Sequence, residues 1–208
     1  KFLKSDKGKK LLNSICLEMK DIGFPEISSK IELDLLIEIF SPETLNQIFF
    51  NPSNGFYKAN NNGAFKQTIK VNENFGYILA PKGVILIVGS SNTILPVITS
   101  IILSYICGNV TVCQLSKLNK GIIKNFIDSI PSDCSNYVHY TNLDHYIPND
   151  EKVLKELLVE IPWNVINVWG GEEANNFYYQ NIAKNSNRPK IINMEPLTGI
   201  VIIQKSFL

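Results

Sequence analysis

Three short polar segments contain the residues of this sequence that are best suited to bind a ligand. They are residues 89–93 (Gly-Ser-Ser-Asn-Thr), 114–119 (Gln-Leu-Ser-Lys-Leu-Asn) and 169–173 (Trp-Gly-Gly-Glu-Glu), and each follows an apolar run. Small residues let the backbone approach a ligand closely, while hydroxyl, amide and ammonium groups form hydrogen bonds to it. Each segment precedes a helical pattern, and the amino end of a helix favours anions. These features indicate a site for a phosphorylated ligand.

The first segment has two interpretations. Ser90 and Asn92 precede a helix whose amino end would stabilise an anion or a developing oxyanion. In the alternative, the segment is a tight turn in which serine and asparagine side chains only cap the helix.

The other two segments are also open to a functional and a structural interpretation. Ser116 and Lys117 would suit a ribose or a 2′-phosphate, or they would form a capped helix start with a solvated lysine. Gly170 and Gly171 would bring the backbone close to a ligand, or they would form an ordinary turn. In that turn the acidic residues that follow would complement the helix dipole.

A regular alternation of strands and helices from residue 84 onward positions these segments. The run Val-Ile-Leu-Ile-Val at 84–88 is apolar throughout, which is typical of a strand buried on both faces. Strands that alternate with helices form a parallel sheet covered on both faces, and ligands bind at the carboxyl ends of its strands. We therefore predict a Rossmann-like α/β fold. Strands are expected over residues 84–88, 109–115, 137–140, 164–168 and 200–203, and helices over 95–107, 120–130, 151–160 and 172–184.

The first part of the chain has a different pattern. Apolar residues at helical spacing predict amino-terminal helices, and a polar, turn-rich stretch after them predicts a loop. The helices are expected over residues 7–21, 30–40 and 42–50, and the loop over 51–63.

Alternating apolar and polar residues over 65–79 predict one or two antiparallel strands with a turn near 72–74. The change of pattern predicts a division into an N-terminal helical segment, 1–64, and an α/β domain, 65–208.

Composition and charge exclude several classes of protein. Of the 208 residues, 45% are hydrophobic and 19% are charged, which is typical of a globular domain and not of a disordered chain. The net charge is +1 and Arg188 is the only arginine, so a nucleic acid is not an expected partner. The longest apolar stretch, residues 94–107, is interrupted by Pro96 and is too short for a membrane span.

The four cysteines and two histidines do not have the spacing of a metal site, so no metal is expected. So few cysteines also argue against a disulfide scaffold and favour the reducing cytoplasm. Cys107 and Cys113 are both expected to be buried small hydrophobes. The sequence lacks GxGxxG, GxxxxGK[ST] and GxSxG, which excludes the common dinucleotide fingerprint, P-loop chemistry and a nucleophile-elbow hydrolase.

Four motifs, taken in order, resemble those of the aldehyde dehydrogenase superfamily. They are Pro81-Lys82-Gly83-Val84, Ser90-Ser91-Asn92, Gly108-Asn109-Val110-Thr111-Val112 and Val168-Trp169-Gly170-Gly171-Glu172. Together with Leu115-Ser116 and Ala174, they are most similar to the fatty acyl-CoA reductases of the LuxC type. The resemblance extends over about residues 77–203.

This resemblance implies an enzyme that uses NADP(H) to reduce a fatty acyl-CoA or acyl-protein thioester to an aldehyde, through a thioester on a cysteine. Asn92 would be catalytic, because it matches the asparagine whose amide group stabilises the oxyanion. Many members of the superfamily are oligomers, which makes a homo-oligomer one expected state. The residues that would bind the cofactor are Ser90, Gln114, Ser116, Lys117, Gly170, Gly171 and Glu172.

The sequence also departs from the family pattern. Gln114 replaces the ribose-binding lysine, which leaves the choice between NADPH and NADH open. The general base of hydrolytic members would fall near Asn193 or Met194, so thioester chemistry fits better than acid formation. None of the four cysteines matches the nucleophile. We therefore expect an amino-terminal, cofactor-binding portion of a larger reductase that is inactive alone.

Two alternatives remain open at this point. One is a CoA-acylating dehydrogenase of short-chain aldehydes, and the other is a nucleotide-binding module that catalyses no reaction.

Overall fold

The computed structural model describes residues 5–45, 67–72, 75–79, 81–131 and 136–194. Some of the predictions concern residues outside these ranges. They are the end of the third helix, the polar loop over 51–63 and the last strand over 200–203.

The chain begins with three helices, α1 (Asp6–Asp21), α2 (Glu26–Ile39) and α3 (Pro42–Leu45). Helix α1 confirms the prediction to within one residue. Ser5 caps it, because its side chain accepts a hydrogen bond from the Gly8 backbone N–H at 3.2 Å. Helix α2 begins four residues before its predicted start, because Pro25, with φ of −59°, directs the chain into the first turn.

Two short strands follow, β1 (Gln67–Asn72) and β2 (Phe75–Leu79), and they pair antiparallel in a sheet of their own. The prediction of antiparallel strands is confirmed, whereas the predicted turn near 72–74 falls partly outside the described residues.

Five parallel strands form the main sheet. They are β3 (Val84–Val88), β4 (Val110–Gln114), β5 (Val138–Thr141), β6 (Val165–Val168) and β7 (Lys190–Asn193). Their order is β5-β4-β3-β6-β7, so the direction of the strand order reverses between β3 and β6. The predicted α/β class with a parallel sheet is confirmed.

Helices α4 (Leu95–Ile106), α5 (Lys120–Asp128), α6 (Pro148–Glu160) and α7 (Glu172–Ile182) connect these strands. Each overlaps its predicted range. Helix α6 begins three residues earlier than predicted because Pro148 occupies its first turn, a position that proline favours.

Strand β7 was not predicted. It has only two apolar residues, Ile191 and Ile192, and both are half-buried. A four-residue strand at the edge of a sheet gives no period that a sequence window can detect. Its pairing with β6, from Val165 opposite Lys190 to Val168 opposite Asn193, identifies it.

Apolar side chains on the two faces of the sheet form two separate cores. Ile87 of β3 contributes to the core under α1, α2, α4 and α5, whereas Leu86 and Val88 contribute to the core under α6 and α7. Alternate residues of a strand point to opposite faces, so one fully apolar strand serves both cores. The amino-terminal helices α1 and α2 therefore share a core with the α/β sheet.

Candidate functional site

A cleft of about 770 Å³ lies at the carboxyl ends of the parallel strands. It is centred on the reversal of strand order between β3 and β6, where parallel α/β sheets bind their ligands. Seven of the eight residues assigned from the sequence line this cleft, and Glu172 is the exception. The seven are Ser90, Asn92, Gln114, Ser116, Lys117, Gly170 and Gly171.

Residues 89–93 form the wall of the cleft that follows β3. Gly89 lies close to β4, since its backbone N–H donates to the Gln114 carbonyl at 3.0 Å and an added Cβ would lie 3.1 Å from that oxygen. The Ser90 hydroxyl donates to the Thr93 carbonyl at 3.1 Å, which closes the segment into a turn. Asn92 is exposed at the cleft.

Helix α4, which begins after this turn, is capped by Glu32 of α2. The carboxylate of Glu32 accepts hydrogen bonds from the Thr93 hydroxyl at 2.8 Å and from the backbone N–H groups of Ile94 and Leu95, both at 3.1 Å. The sequence suggested either a ligand anion or a local serine or asparagine cap at this helix. The structure shows instead a carboxylate from a residue 61 to 63 positions away.

The segment after β4 is joined to this wall by Asn119. Its side-chain amide donates to the carbonyl oxygens of Ser90 at 2.6 Å and Thr93 at 3.4 Å, and its oxygen accepts from the Ser116 hydroxyl at 2.5 Å. Lys117 is exposed at the rim of the cleft. The segment thus places one hydroxyl and one ammonium group at the carboxyl end of β4.

Gln114 lines the cleft, but its side chain is engaged within the protein. Its Nε2 group donates to the Leu143 carbonyl at 2.9 Å, and its Oε1 accepts from the Tyr178 hydroxyl. Tyr178 is fully buried, and burial raises its pKa well above the ordinary value, so this hydroxyl stays protonated and donates. A ribose that bonds to the Gln114 amide would have to use its second N–H or its second oxygen lone pair, because one of each is already engaged within the protein.

Gly170 and Gly171 bring the backbone into the cleft before α7. A Cβ on Gly170 would lie 2.9 Å from the Cβ of Ala174, so only glycine fits there. Gly171 faces open space. It is the N-cap residue of α7, no side chain caps this helix, and Gly171 itself lines the cleft, so the uncapped start of α7 lies at the cleft. Glu172 lies on the exposed outer side of this turn.

Sequence reasoning missed a wall formed by the segment after β5. His145 packs against Tyr146, with ring centroids 4.0 Å apart, and against Phe177 and Tyr178 of α7 at 5.1 and 5.8 Å. Both ring nitrogens are buried without a hydrogen-bond partner among the described residues, and desolvation lowers the pKa of the imidazole. The rule that ligands lie at the carboxyl ends of parallel strands could have identified this segment, because it follows β5 directly.

The described cysteines lie away from the cleft. Cys113 is buried as predicted, and desolvation raises the pKa of its thiol to about 12. The prediction that Cys107 is buried is wrong, because this residue ends α4 at the surface, where partial desolvation also raises its pKa. Neither thiol supplies the thiolate that nucleophilic catalysis needs.

Two further observations concern only the described part of the chain. No group of three or more His, Cys, Asp and Glu side chains there could hold a metal ion. None of the helices described is long and apolar enough to cross a membrane.

The strand order, the helices on both faces and the position of the cleft define the fold of the aldehyde dehydrogenase cofactor domain. The chain is similar to glyceraldehyde-3-phosphate dehydrogenase GapN from Methanocaldococcus jannaschii complexed with NADP, with a TM-score of 0.62 and 14% identity over 90% of this chain. It is also similar to succinic semialdehyde dehydrogenase from Streptococcus pyogenes in complex with NADP+, with a TM-score of 0.63 and 13% identity over 92%. A third similar structure is a NAD-dependent benzaldehyde dehydrogenase from Corynebacterium glutamicum, with a TM-score of 0.61 and 10% identity over 90%.

These three similarities establish the fold. The chain covers only 38%, 42% and 38% of the three dehydrogenases, respectively. No protein-family model and no curated protein sequence matches the chain.

Proposed function

We propose that this chain is the NADP(H)-binding portion of an acyl-thioester reductase related to the aldehyde dehydrogenases. The observation that carries the proposal is that Ser116, Lys117, Gly170 and Gly171 line one cleft at the reversal of strand order, within a fold shared with NADP-complexed dehydrogenases. On this proposal, residues 65–208 form the cofactor domain, and the helices in 1–64 pack against it.

Each side of the cleft suits a different part of the dinucleotide. The uncapped start of α7 and the Gly170–Gly171 backbone would hold the pyrophosphate, because unpaired N–H groups and the helix dipole favour phosphate there. Ser116 would bond to the adenosine ribose. The exposed ammonium group of Lys117 would meet the 2′-phosphate that distinguishes NADPH from NADH.

The reaction we propose needs three groups. The bound cofactor supplies the hydride. Asn92 would donate its amide hydrogens to the thioester carbonyl oxygen as that oxygen becomes an oxyanion. The nucleophile would be a cysteine in another part of a longer protein, because none of the four cysteines matches the nucleophile of the family and the similar dehydrogenases are more than twice as long.

A nucleotide-binding module without catalysis is the second candidate. The burial and internal hydrogen bonds of Gln114 favour it, because they hold inside the protein a side chain that stands where related enzymes place a ribose-binding lysine. The length of an acyl chain is not indicated by any described residue, so a short-chain CoA-acylating dehydrogenase stays an alternative among the enzymes.

The test is a fluorescence titration of the folded chain with NADPH and with NADH. We expect saturable binding that favours NADPH. Lys117→Ala should weaken NADPH binding about tenfold and NADH binding little, since a charge-assisted hydrogen bond contributes about 1.5–3 kcal/mol. Lys120→Ala is the matched control, because Lys120 is an exposed lysine in the same region that does not line the cleft. Equal losses of NADPH and NADH in Lys117→Ala would remove its proposed role.

A further inference from the structure

Asn119 stands at the amino end of α5, where an asparagine ordinarily caps its own helix. Its side chain makes no such cap. It is 1% exposed, and its hydrogen bonds reach instead to Ser116 on one side and to Ser90 and Thr93 on the other. The buried amide of Asn119 does not cap α5 but joins two loops by hydrogen bonds, so it can control their relative position.

We propose that Asn119 is a positioning residue that couples the Ser116–Lys117 loop to the loop that carries Asn92. The proposal rests on the proposed function, in which the first loop binds the adenosine end of the cofactor and the second acts at the reacting carbonyl. Occupation of the first loop would thereby hold the second in its active position.

The direction of every hydrogen bond in this bridge is determined. Carbonyl oxygens only accept, so the group of Asn119 that faces Ser90 and Thr93 must be the NH₂ group. The amide oxygen therefore faces Ser116, and the Ser116 hydroxyl must donate to it. This leaves Ser116 free to accept a hydrogen bond from a ligand hydroxyl, such as that of a ribose. Such a bond would polarise and strengthen the whole chain of bonds.

Glu32 anchors the other end of the loop that carries Asn92, next to α4. Its carboxylate binds the Thr93 hydroxyl and the Ile94 N–H. Asn92 thus lies between a fixed point at Thr93 and the Asn119 bond to Ser90. A ligand that displaces Ser116 would also displace Asn119 through their hydrogen bond. The displacement would then pass to Ser90, because Glu32 holds Thr93 in place.

The experiment uses the ¹⁵N-labelled chain and adenosine 2′,5′-bisphosphate, a fragment with the adenosine end of NADP but no nicotinamide. In the wild type we expect the fragment to shift the resonances of Lys117 and also those of Asn92. In Asn119→Ala the Lys117 shift should persist and the Asn92 shift should disappear, with affinity about fivefold weaker or more. An undiminished Asn92 shift in this variant would overturn the proposal.

Asn185→Ala is the matched control. Asn185 is also buried, and its amide donates to the carbonyls of Leu158, Val159 and Ile161, far from the cleft. If the Asn92 shift disappeared in Asn119→Ala merely because a buried asparagine network is loosened, Asn185→Ala would lose that shift too. We expect Asn185→Ala to lose stability yet keep the fragment-induced shift of Asn92. Loss of that shift in the control as well would overturn the specific role of Asn119.

A second variant separates this proposal from the proposed function and from a failure of Asn119→Ala to fold. Ser116→Ala removes one bond of the bridge at a half-buried position. In the absence of a ligand, Ser116→Ala should change the Asn92 chemical shifts relative to the wild type. When Ser116→Ala is added to Asn119→Ala, the Asn92 chemical shifts should not change further. If the fragment fails to bind the wild type, the proposal that the Ser116–Lys117 loop binds the adenosine end of the cofactor is wrong. Unmoved Asn92 resonances in the single Ser116→Ala variant would by themselves overturn the coupling.

Discussion

Helices α4 and α7 both begin at the cleft, on opposite sides of the reversal of strand order, but their amino ends differ. The carboxylate of Glu32 binds two backbone N–H groups at the start of α4, whereas no side chain caps α7. The first end is neutralised by the protein itself. The second leaves its N–H groups and its partial positive charge to whatever enters the cleft.

This difference shows that a helix amino end beside a cleft is not in itself a ligand site. Glycine precedes both helices, Gly89 before α4 and Gly170 and Gly171 before α7, so this shared feature does not tell the two ends apart. The decisive group, Glu32, lies in a different helix. Its charge would also repel a phosphate, so of the two helix ends the uncapped start of α7 is the more favourable one for an anion.

The largest expected effect tests the chemistry assigned to the α4 side. In the longer reductase that we propose, Asn92→Ala should lower kcat about 100-fold, because one oxyanion donor contributes about 2.7–4 kcal/mol, and NADPH affinity should change little. Ser91→Ala, a change at the exposed neighbour, is the control. Steady-state kinetics with an acyl thioester would measure both, and normal turnover in Asn92→Ala would exclude it as the oxyanion donor.

Removal of the cap should make the α4 end resemble the α7 end at a cost in stability. We expect Glu32→Ala to lower the free energy of unfolding by about 1–3 kcal/mol, since it leaves the Ile94 and Leu95 N–H groups and the Thr93 hydroxyl without their acceptor. Urea denaturation would measure the loss.

Glu38→Ala is the control for that measurement, because Glu38 is an exposed carboxylate on the same helix. A similar loss of stability in both variants would mean that the cap contributes nothing beyond its charge.

The two glycines before α7 offer a smaller and more local test. Gly170→Ala should cost about 1–2 kcal/mol, because the new Cβ would lie 2.9 Å from the Cβ of Ala174 and force the start of α7 to move. Gly171→Ala should be nearly neutral, since nothing lies within 4 Å of its Cβ position. Thermal melts of the two variants compare them, and equal stabilities would contradict the close packing of Gly170.

The smallest effect concerns pH and should act on the α7 side alone. Burial lowers the pKa of His145, although Asp144, Glu173 and Glu151 act in the opposite direction. A histidine whose pKa is lower in the folded state stabilises the fold above its unfolded pKa of about 6.5. That contribution is lost as the pH falls through the folded pKa, because the unfolded state then binds more protons.

We therefore expect the wild type to lose a little stability as the pH falls below about 6.5. His145→Phe keeps an aromatic ring against Phe177 and Tyr178 and should flatten this dependence. His139→Phe, at an exposed position, should leave it as in the wild type. The measurement is the denaturation midpoint of each variant between pH 5 and 8. If the midpoint of His145→Phe depends on pH as that of the wild type does, other groups cause the effect.

The sequence was informative wherever a local pattern determines structure. Apolar runs located β3 and β4, and proline and glycine positions located helix ends to within a few residues. Seven of the eight residues assigned from the sequence also line the cleft, because loops after parallel strands meet at one edge.

What the sequence could not give are contacts between distant residues. Nothing in the segment around Glu32 indicates that it caps a helix that begins some sixty residues later. The internal engagement of Gln114 by Tyr178 and Leu143 depends on how α7 packs against β4. Strand β7 is defined by its pairing with β6 and not by its own composition.

The cap on α4 has a consequence for the order of events during synthesis. Helix α4 is apolar and lacks a cap of its own, and Glu32 leaves the ribosome 62 residues before Ile94. At about 5–20 residues per second, α2 waits about 3–12 seconds for its partner. During this interval the buried faces of α1 and α2 have no sheet to cover them. These apolar faces therefore stay open to chaperones and to aggregation at least until α4 has emerged, and the Glu32 cap is one of the contacts that then join α2 to α4.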